Sequence, residues 1–294
     1  MSKDNGVRVS IRKMYKLFIN GAFVRSESGR SDAVWNGKEF GANIARASRK
    51  DVRDAVVAAR AAQPKWWRNA PALRGLVLYR LAEMLESRRA ELIERLREGS
   101  GLSFADAENE VFATIDRTIW YAGWCDKYGA LLSTRNPVAG PHFNFSTPEP
   151  TGVVALLAPD SAALLGLSSL VLPALVAGNA VVVVASECDP RTAVVFAEAL
   201  ATSDLPAGIV NVLTGLRSEL APVLAKHMDV NALLFEDEDA ALSADLQREG
   251  AANVKRVHVL PKRSRDDWFA PSAQSLDAIG ATTEIKTIWH PAGA

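Results

Sequence analysis

TGVVALLAPDS at residues 151–161, GNAVVVVASE at 178–187, IVNVLTG at 209–215, VNALLFEDED at 230–239 and NVKRVHVLP at 253–261 follow one another down the chain, each separated from the next by an amphipathic or apolar segment of helical length. The strand-like runs inside them, Val153–Ala158, Ala180–Val184, Ile209–Leu213, Ala232–Phe235 and Val254–Leu260, are largely continuous apolar and rich in Val. A strand covered on one face alternates apolar with polar residues, whereas one buried on both faces has no polar side to spare. Strand–helix alternation predicts βαβ crossovers, so the expected fold class is α/β, a doubly wound parallel five-stranded sheet. Such sheets bind ligands beyond the carboxyl ends of their strands, here the region of Asp160, Glu187 and Gly215.

Upstream, Tyr15–Val24 places Asn20-Gly21 between short apolar runs, the residues of a tight hairpin turn. Ser48 is an expected N-cap, with Asp51 at the third helical position and Val52, Ala55, Val56 and Ala59 on one face. Pro64 is expected to end that helix. A longer helix is predicted from about residue 72 to 97 on the spacing of Val77, Leu78, Leu81, Leu85 and Leu92, with Gly99–Gly101 as its break. A third runs from about 104 to 132 and buries Val111, Ile115, Ile119 and Trp120. HFNFSTP at 142–148 alternates as an extended segment, and its aromatics suit interface anchors. Downstream of Pro261, residues 262–273 read as a charged loop and Leu276–Ile279 as a short apolar fragment. EIKTIW at 284–289 reads as a half-buried strand in need of a partner edge.

Composition narrows the function. In 294 residues, 48% apolar and 23% charged content predicts a packed core. A formal net charge of zero argues against nucleic acid or an anionic membrane as partner. The N-terminal stretch has no apolar core of a signal peptide, and no run reaches 18 apolar residues, so neither export nor a membrane span is expected. Two cysteines, Cys125 and Cys188, fit a reducing cytoplasm. The four histidines (142, 227, 258 and 290) are scattered without metal-ligand spacing, and no dinucleotide G-x-G-x-x-G, Walker A loop or nucleophile elbow is present. Cys125, between Trp124 and Asp126, reads as a small buried residue, and Cys188 as a surface cysteine. Glu236–Asp239 reads as a solvated helix start, with a site for a cation or a basic partner as the lesser alternative.

KLFINGAFV, PTGVVALLAP, LPALVAGNAVVV, Ser186-Glu187, DLPAGIVNVLTG, VKRV and TTEIKTIW resemble, in order and spacing, the aldehyde dehydrogenase superfamily. RSESGRS, YAGWCDK, NPVAGPHFNFS and TIWHP are closest to a truncated, non-catalytic family-16-type companion. The resemblance implies hairpin and helices over 15–134 after a loose arm at 1–14, and a β oligomerisation arm at 135–152. It implies a Rossmann-like domain at 153–262, a loop at 263–282 in place of the catalytic domain, and a closing oligomerisation strand at 283–294.

The departures from the family pattern carry the functional expectation. About 20 residues separate Leu260 from Glu284, too few for a catalytic domain, and no cysteine follows Cys188, so the thiolate nucleophile is missing. The family's Pro-Trp-Asn is Pro159-Asp160-Ser161, and a carboxylate there opposes an oxyanion. The Lys of its K-P-S-E segment is Val184, while Ser186 and Glu187 remain; with Gly215 the resemblance makes these the vestigial cofactor-binding residues, although Glu187 reads equally as an acid favoured by a helix N-terminus. Gly-Ser-Thr aligns with Asp237-Glu238-Asp239, the general-base Glu with Leu260, and the paired glycines with Lys262 and Arg263. One carboxylate about 6 Å from a phosphate charge costs roughly 3 kcal/mol at an effective dielectric of about 20, before screening. The expected cofactor is therefore none, or weakly held NAD(P). The expected role is a non-catalytic subunit that joins a full-length aldehyde dehydrogenase through residues 135–152 and 283–290. The alternatives are an NAD(P)-dependent oxidoreductase acting on an aldehyde through Cys188 or Cys125, and a nucleotide or small-ligand sensing module.

Overall fold

The computed structural model describes residues 11–36 and 39–292; most of the arm expected at 1–14 lies outside them. What is described of that arm is not loose. Lys13 pairs with Glu198 at 2.7 Å and Glu91 at 3.2 Å, and the first strand follows at once.

The N-terminal third comprises β1 (Met14–Tyr15), β2 (Leu17–Ile19), β3 (Ala22–Val24), β4 (Ser31–Asn36), β5 (Glu39–Ala45), α1 (Arg49–Arg68), α2 (Pro71–Ser87), α3 (Arg89–Gly99), α4 (Phe104–Ala122) and α5 (Tyr128–Leu132). β6 (Thr134–Asn136) and β7 (His142–Pro150) lead into the alternating unit. That unit runs β8 (Val153–Leu157), α6 (Leu165–Val176), β9 (Ala180–Val184), α7 (Pro190–Leu200), β10 (Val210–Leu213), α8 (Arg217–Lys226), β11 (Ala232–Glu236), α9 (Ala240–Ala251) and β12 (Arg256–Leu260). The chain continues through α10 (Arg265–Phe269), a 3₁₀ turn at Pro271–Ala273, α11 (Leu276–Gly280) and β13 (Thr283–Pro291).

The five expected strands form, all parallel, in the order β12-β11-β8-β9-β10, and every residue of β8 and β9 is buried. The sheet is larger than the five strands predicted: β2 and β3 extend it to seven, β2 pairing antiparallel to β10 at Phe18–Val212. The hairpin at 15–24 is thus built into the main sheet. Its turn is the expected one, with Asn20 at φ 52° and Gly21 at φ 75°. A Cβ on Gly21 would lie 2.8 Å from that of Ala207, so the turn also needs the glycine for clearance. The β4–β5 hairpin, which pairs with β1, had no strand forecast; β5 buries Ala42, Ile44 and Ala45, while β4 is more exposed.

Ser48 and Asp51 make the reciprocal capping box of α1. Pro64 does not end α1, which runs on to Arg68. Trp66 holds the last turn by full burial and by donating its indole N–H to the Leu175 carbonyl at 3.1 Å. The single helix expected over 72–97 is two, broken at Arg88, whose guanidinium reaches Glu91 and Glu198. The helix expected to 132 ends at Ala122, and Ile119 is 41% exposed instead of buried.

Residues 263–282 are not the predicted loop. α10 and α11 pack on α6, and Trp268 is fully buried. Its indole N–H donates to Ser161 Oγ at 3.1 Å, its carbonyl accepts from Arg117 at 2.8 Å, and Arg265 reaches Glu110 at 3.3 Å. Trp268 carries the apolar burial of α10, and Ile279 that of α11.

β13 finds its partner edge within the chain. It pairs antiparallel with β7 over nine residue pairs, from Thr283–Pro150 to Pro291–His142, and β6 lines the other side of β7. Ile285, Trp289 and Phe143 remain exposed on this arm. At its root, the buried side chain of Asn179 donates to the Thr282 carbonyl at 2.9 Å and accepts from the Gly152 N–H at 2.8 Å. No described helix is long and apolar enough to cross a membrane.

Candidate ligand crevice

The carboxyl ends of β8, β9, β10 and β11 surround a cavity of about 300 Å³ whose lining includes Leu157, Pro159, Asp160, Glu187, Arg217, Phe235, Glu236, Glu238, Asp239 and Leu242. Arg217 dominates it. As the first residue of α8 it projects into the cavity from the end of β10, where its guanidinium contacts Glu238 and the Ala158 carbonyl and meets Asp160 Oδ1 at 2.9 Å. Its own backbone N–H donates to Glu187 Oε1 at 2.5 Å. A cation at a helix N-terminus opposes the helix dipole, and three carboxylates offset that. The position was missed in the sequence, although an arginine opening a helix against the dipole is itself a signal.

Asp160 holds the loop after β9 as well. Its Oδ1 accepts from Ser186 Oγ at 2.5 Å and from the Glu187 N–H at 3.0 Å. The carboxylate that the resemblance set against an oxyanion is here the hub of a structural network. Ser186 is 1% exposed and turned into that network, so it does not line the crevice. Glu187 lines it with its carboxylate on Arg217. Gly215, at φ 145°, lies instead on a second cavity of about 300 Å³ beside Trp35, Glu187 and Cys188. The three expected cofactor residues are neighbours in the fold but do not converge on one cavity.

The acidic turn is only partly the solvated helix start predicted. Asp239 caps α9 by accepting from the Ala241 and Leu242 N–H groups, Asp237 accepts from Ser243 Oγ at 2.6 Å, and Glu238 pairs with Arg217. Glu236 is 6% exposed, the last residue of β11. Burial, and then the neighbouring Glu238, push its carboxyl up to about 7, although the Arg263 N–H donates to its Oε1 at 3.1 Å.

Cys125 is buried, and burial pushes its thiol up to about 12. Cys188 is exposed, but desolvation and then Asp160 raise its thiol too. Among the described residues no group of three or more His, Cys, Asp or Glu could hold a metal.

The family model for the aldehyde dehydrogenase family matches residues 25–260. The chain belongs to the aldehyde dehydrogenase family. It is 31% identical over 250 residues to omega-crystallin of Enteroctopus dofleini, covering 83% of this chain and 50% of that protein. It is likewise 31% identical over 244 residues to an aldehyde dehydrogenase of Emericella nidulans, covering 82% and 48%. Among solved structures, the NAD+ complex of aldehyde dehydrogenase from Bacillus cereus superposes with a TM-score of 0.79 at 27% identity, over 83% of this chain and 50% of that one. PnpE from Pseudomonas sp. WBC-3 gives 0.80 at 29%, over 85% and 51%. The chain therefore spans about half the length, or less, of the curated relatives it matches, and it shares the α/β fold of these structures.

Proposed function

We propose that this chain is a non-catalytic member of the aldehyde dehydrogenase family that associates, through β7 and β13, with a full-length aldehyde dehydrogenase subunit. The observation that carries the reading is Arg217, braced across the crevice by Asp160, Glu238 and the Ala158 carbonyl. A dinucleotide in the family's usual place needs backbone N–H groups and glycine there, and meets instead the Arg217 side chain and a carboxylate-lined rim. A second feature supports the reading. α10 and Trp268 cover the face of α6, and the segment that carries them stands where the resemblance puts a catalytic domain. The exposed Phe143, Ile285 and Trp289 on the arm suit association with a neighbour. The arm is the contact surface and the body contributes stability; the partner supplies the nucleophile.

Two measurements test the proposal. Calorimetry with NAD+ is expected to give no saturable binding at an affinity tighter than about 1 mM. Co-expression with a full-length aldehyde dehydrogenase from the same source is expected to yield a stable complex that a chain cut after residue 282 does not form. Submillimolar NAD+ affinity, or a complex that survives the truncation, overturns it.

A further inference from the structure

Five carboxylates (Asp160, Glu187, Glu236, Glu238 and Asp239) and one guanidinium, Arg217, line the crevice. All five have protein partners: Asp160 and Glu238 hold the guanidinium, Glu187 accepts from the Arg217 N–H, and Asp239 caps α9. Of these five, Glu236 alone keeps a buried oxygen without a partner. It is 94% shielded from solvent, its Oε1 takes the Arg263 N–H, and its Oε2 is buried with no hydrogen-bond partner. A buried acceptor on the wall of a cavity, left without a donor, marks where a ligand atom belongs. Leu157, Pro159, Phe235 and Leu242 complete the walls with apolar surface.

These features select one chemical class. An anion meets the carboxylates; a neutral apolar molecule leaves Glu236 Oε2 unpaired; and a bare metal ion lacks a ligand set among the described residues. An alkylammonium satisfies every requirement. Its N–H donates to Oε2 and supplies the charge that an ionised Glu236 needs, its methylenes lie on apolar walls, and a second ammonium finds the exposed rim carboxylates Glu238 and Asp239. We propose that the crevice binds a linear aliphatic diamine or polyamine, with one ammonium on Glu236. The proposal rests on the reading above that the crevice no longer takes a dinucleotide in the family's manner. The burial that raises the Glu236 carboxyl to about 7 is offset once the ammonium is in place.

The test is calorimetry on the full chain with 1,5-diaminopentane, run beside NAD+ and beside magnesium chloride at matched ionic strength. Saturable one-to-one binding of the diamine is expected, weakened about tenfold or more by Glu236→Gln and less by Glu236→Asp, which keeps the charge but withdraws the oxygen. Binding of equal strength in Glu236→Gln, the same response to magnesium, or no saturable diamine binding overturns the inference. The last result with NAD+ also silent leaves the non-catalytic reading standing, whereas submillimolar NAD+ binding removes that reading itself.

Discussion

The parallel sheet and the three-stranded arm obey opposite rules. In β8 and β9 every side chain is buried, and the strands are covered on both faces by helices of the same chain. In the arm, β7 and β13 satisfy each other's backbone over nine residue pairs yet leave Phe143, Ile285 and Trp289 in water. Those two strands are buried wholly within the chain; the arm pairs its backbone there and buries Asn144 and Ser146, but leaves large apolar side chains exposed. Backbone pairing and side-chain burial are separable requirements, and a strand that meets the first alone is a surface awaiting a second.

Substitutions can break that contrast. Trp268→Ala removes the largest apolar side chain of the segment between β12 and β13, and is expected to cost about 3–5 kcal/mol in urea unfolding. A loss below about 1 kcal/mol would return this segment to the status of a loop. Leu156→Ala, in the middle of the sheet, is expected to cost about 3 kcal/mol in the same assay.

Glu236 gives a pH-dependent test. Its carboxyl titrates near 4.5 when unfolded and at about 7 when folded, so the folded state favours the protonated form. The stability this contributes is complete below about pH 4.5 and lost as the pH rises through about 7. Glu236→Gln is therefore expected to be neutral at low pH and to stabilise the chain by about 1–2 kcal/mol near pH 8, allowing for solvent screening. Equal unfolding midpoints at about pH 5 and pH 8 for both proteins would show that Glu236 is not held in its protonated form. Smallest of all, Ile285→Ala on the arm is expected to move the stability of the isolated chain by less than about 0.5 kcal/mol while weakening the complex with a full-length subunit, as seen by analytical ultracentrifugation.

The parallel strands were legible because burial on both faces leaves only apolar residues to choose from, and a run such as Val181–Val184 writes that directly into the chain. The capping box at Ser48 was legible for a local reason: it is made within four residues. Pro64 misled because its local meaning was overridden by Trp66, anchored to Leu175 more than 100 residues away. α10 was hidden because one tryptophan carries its burial. In the crevice, Asp160 and Glu187 were found by alignment, but their roles were not, since both depend on Arg217, which comes 57 residues after the first and 30 after the second. A side chain that acts through distant partners leaves no period in the sequence.

Asn179 gives the arm a mechanical character. One buried amide holds the chain at Gly152, just after β7, and at Thr282, just before β13. Nine residues of paired strand extend about 30 Å, a cantilever with a single fixed end. Asn179 stands immediately before β9, and Glu187 follows that strand at its other end, so the root of the arm and the crevice lie at opposite ends of one strand.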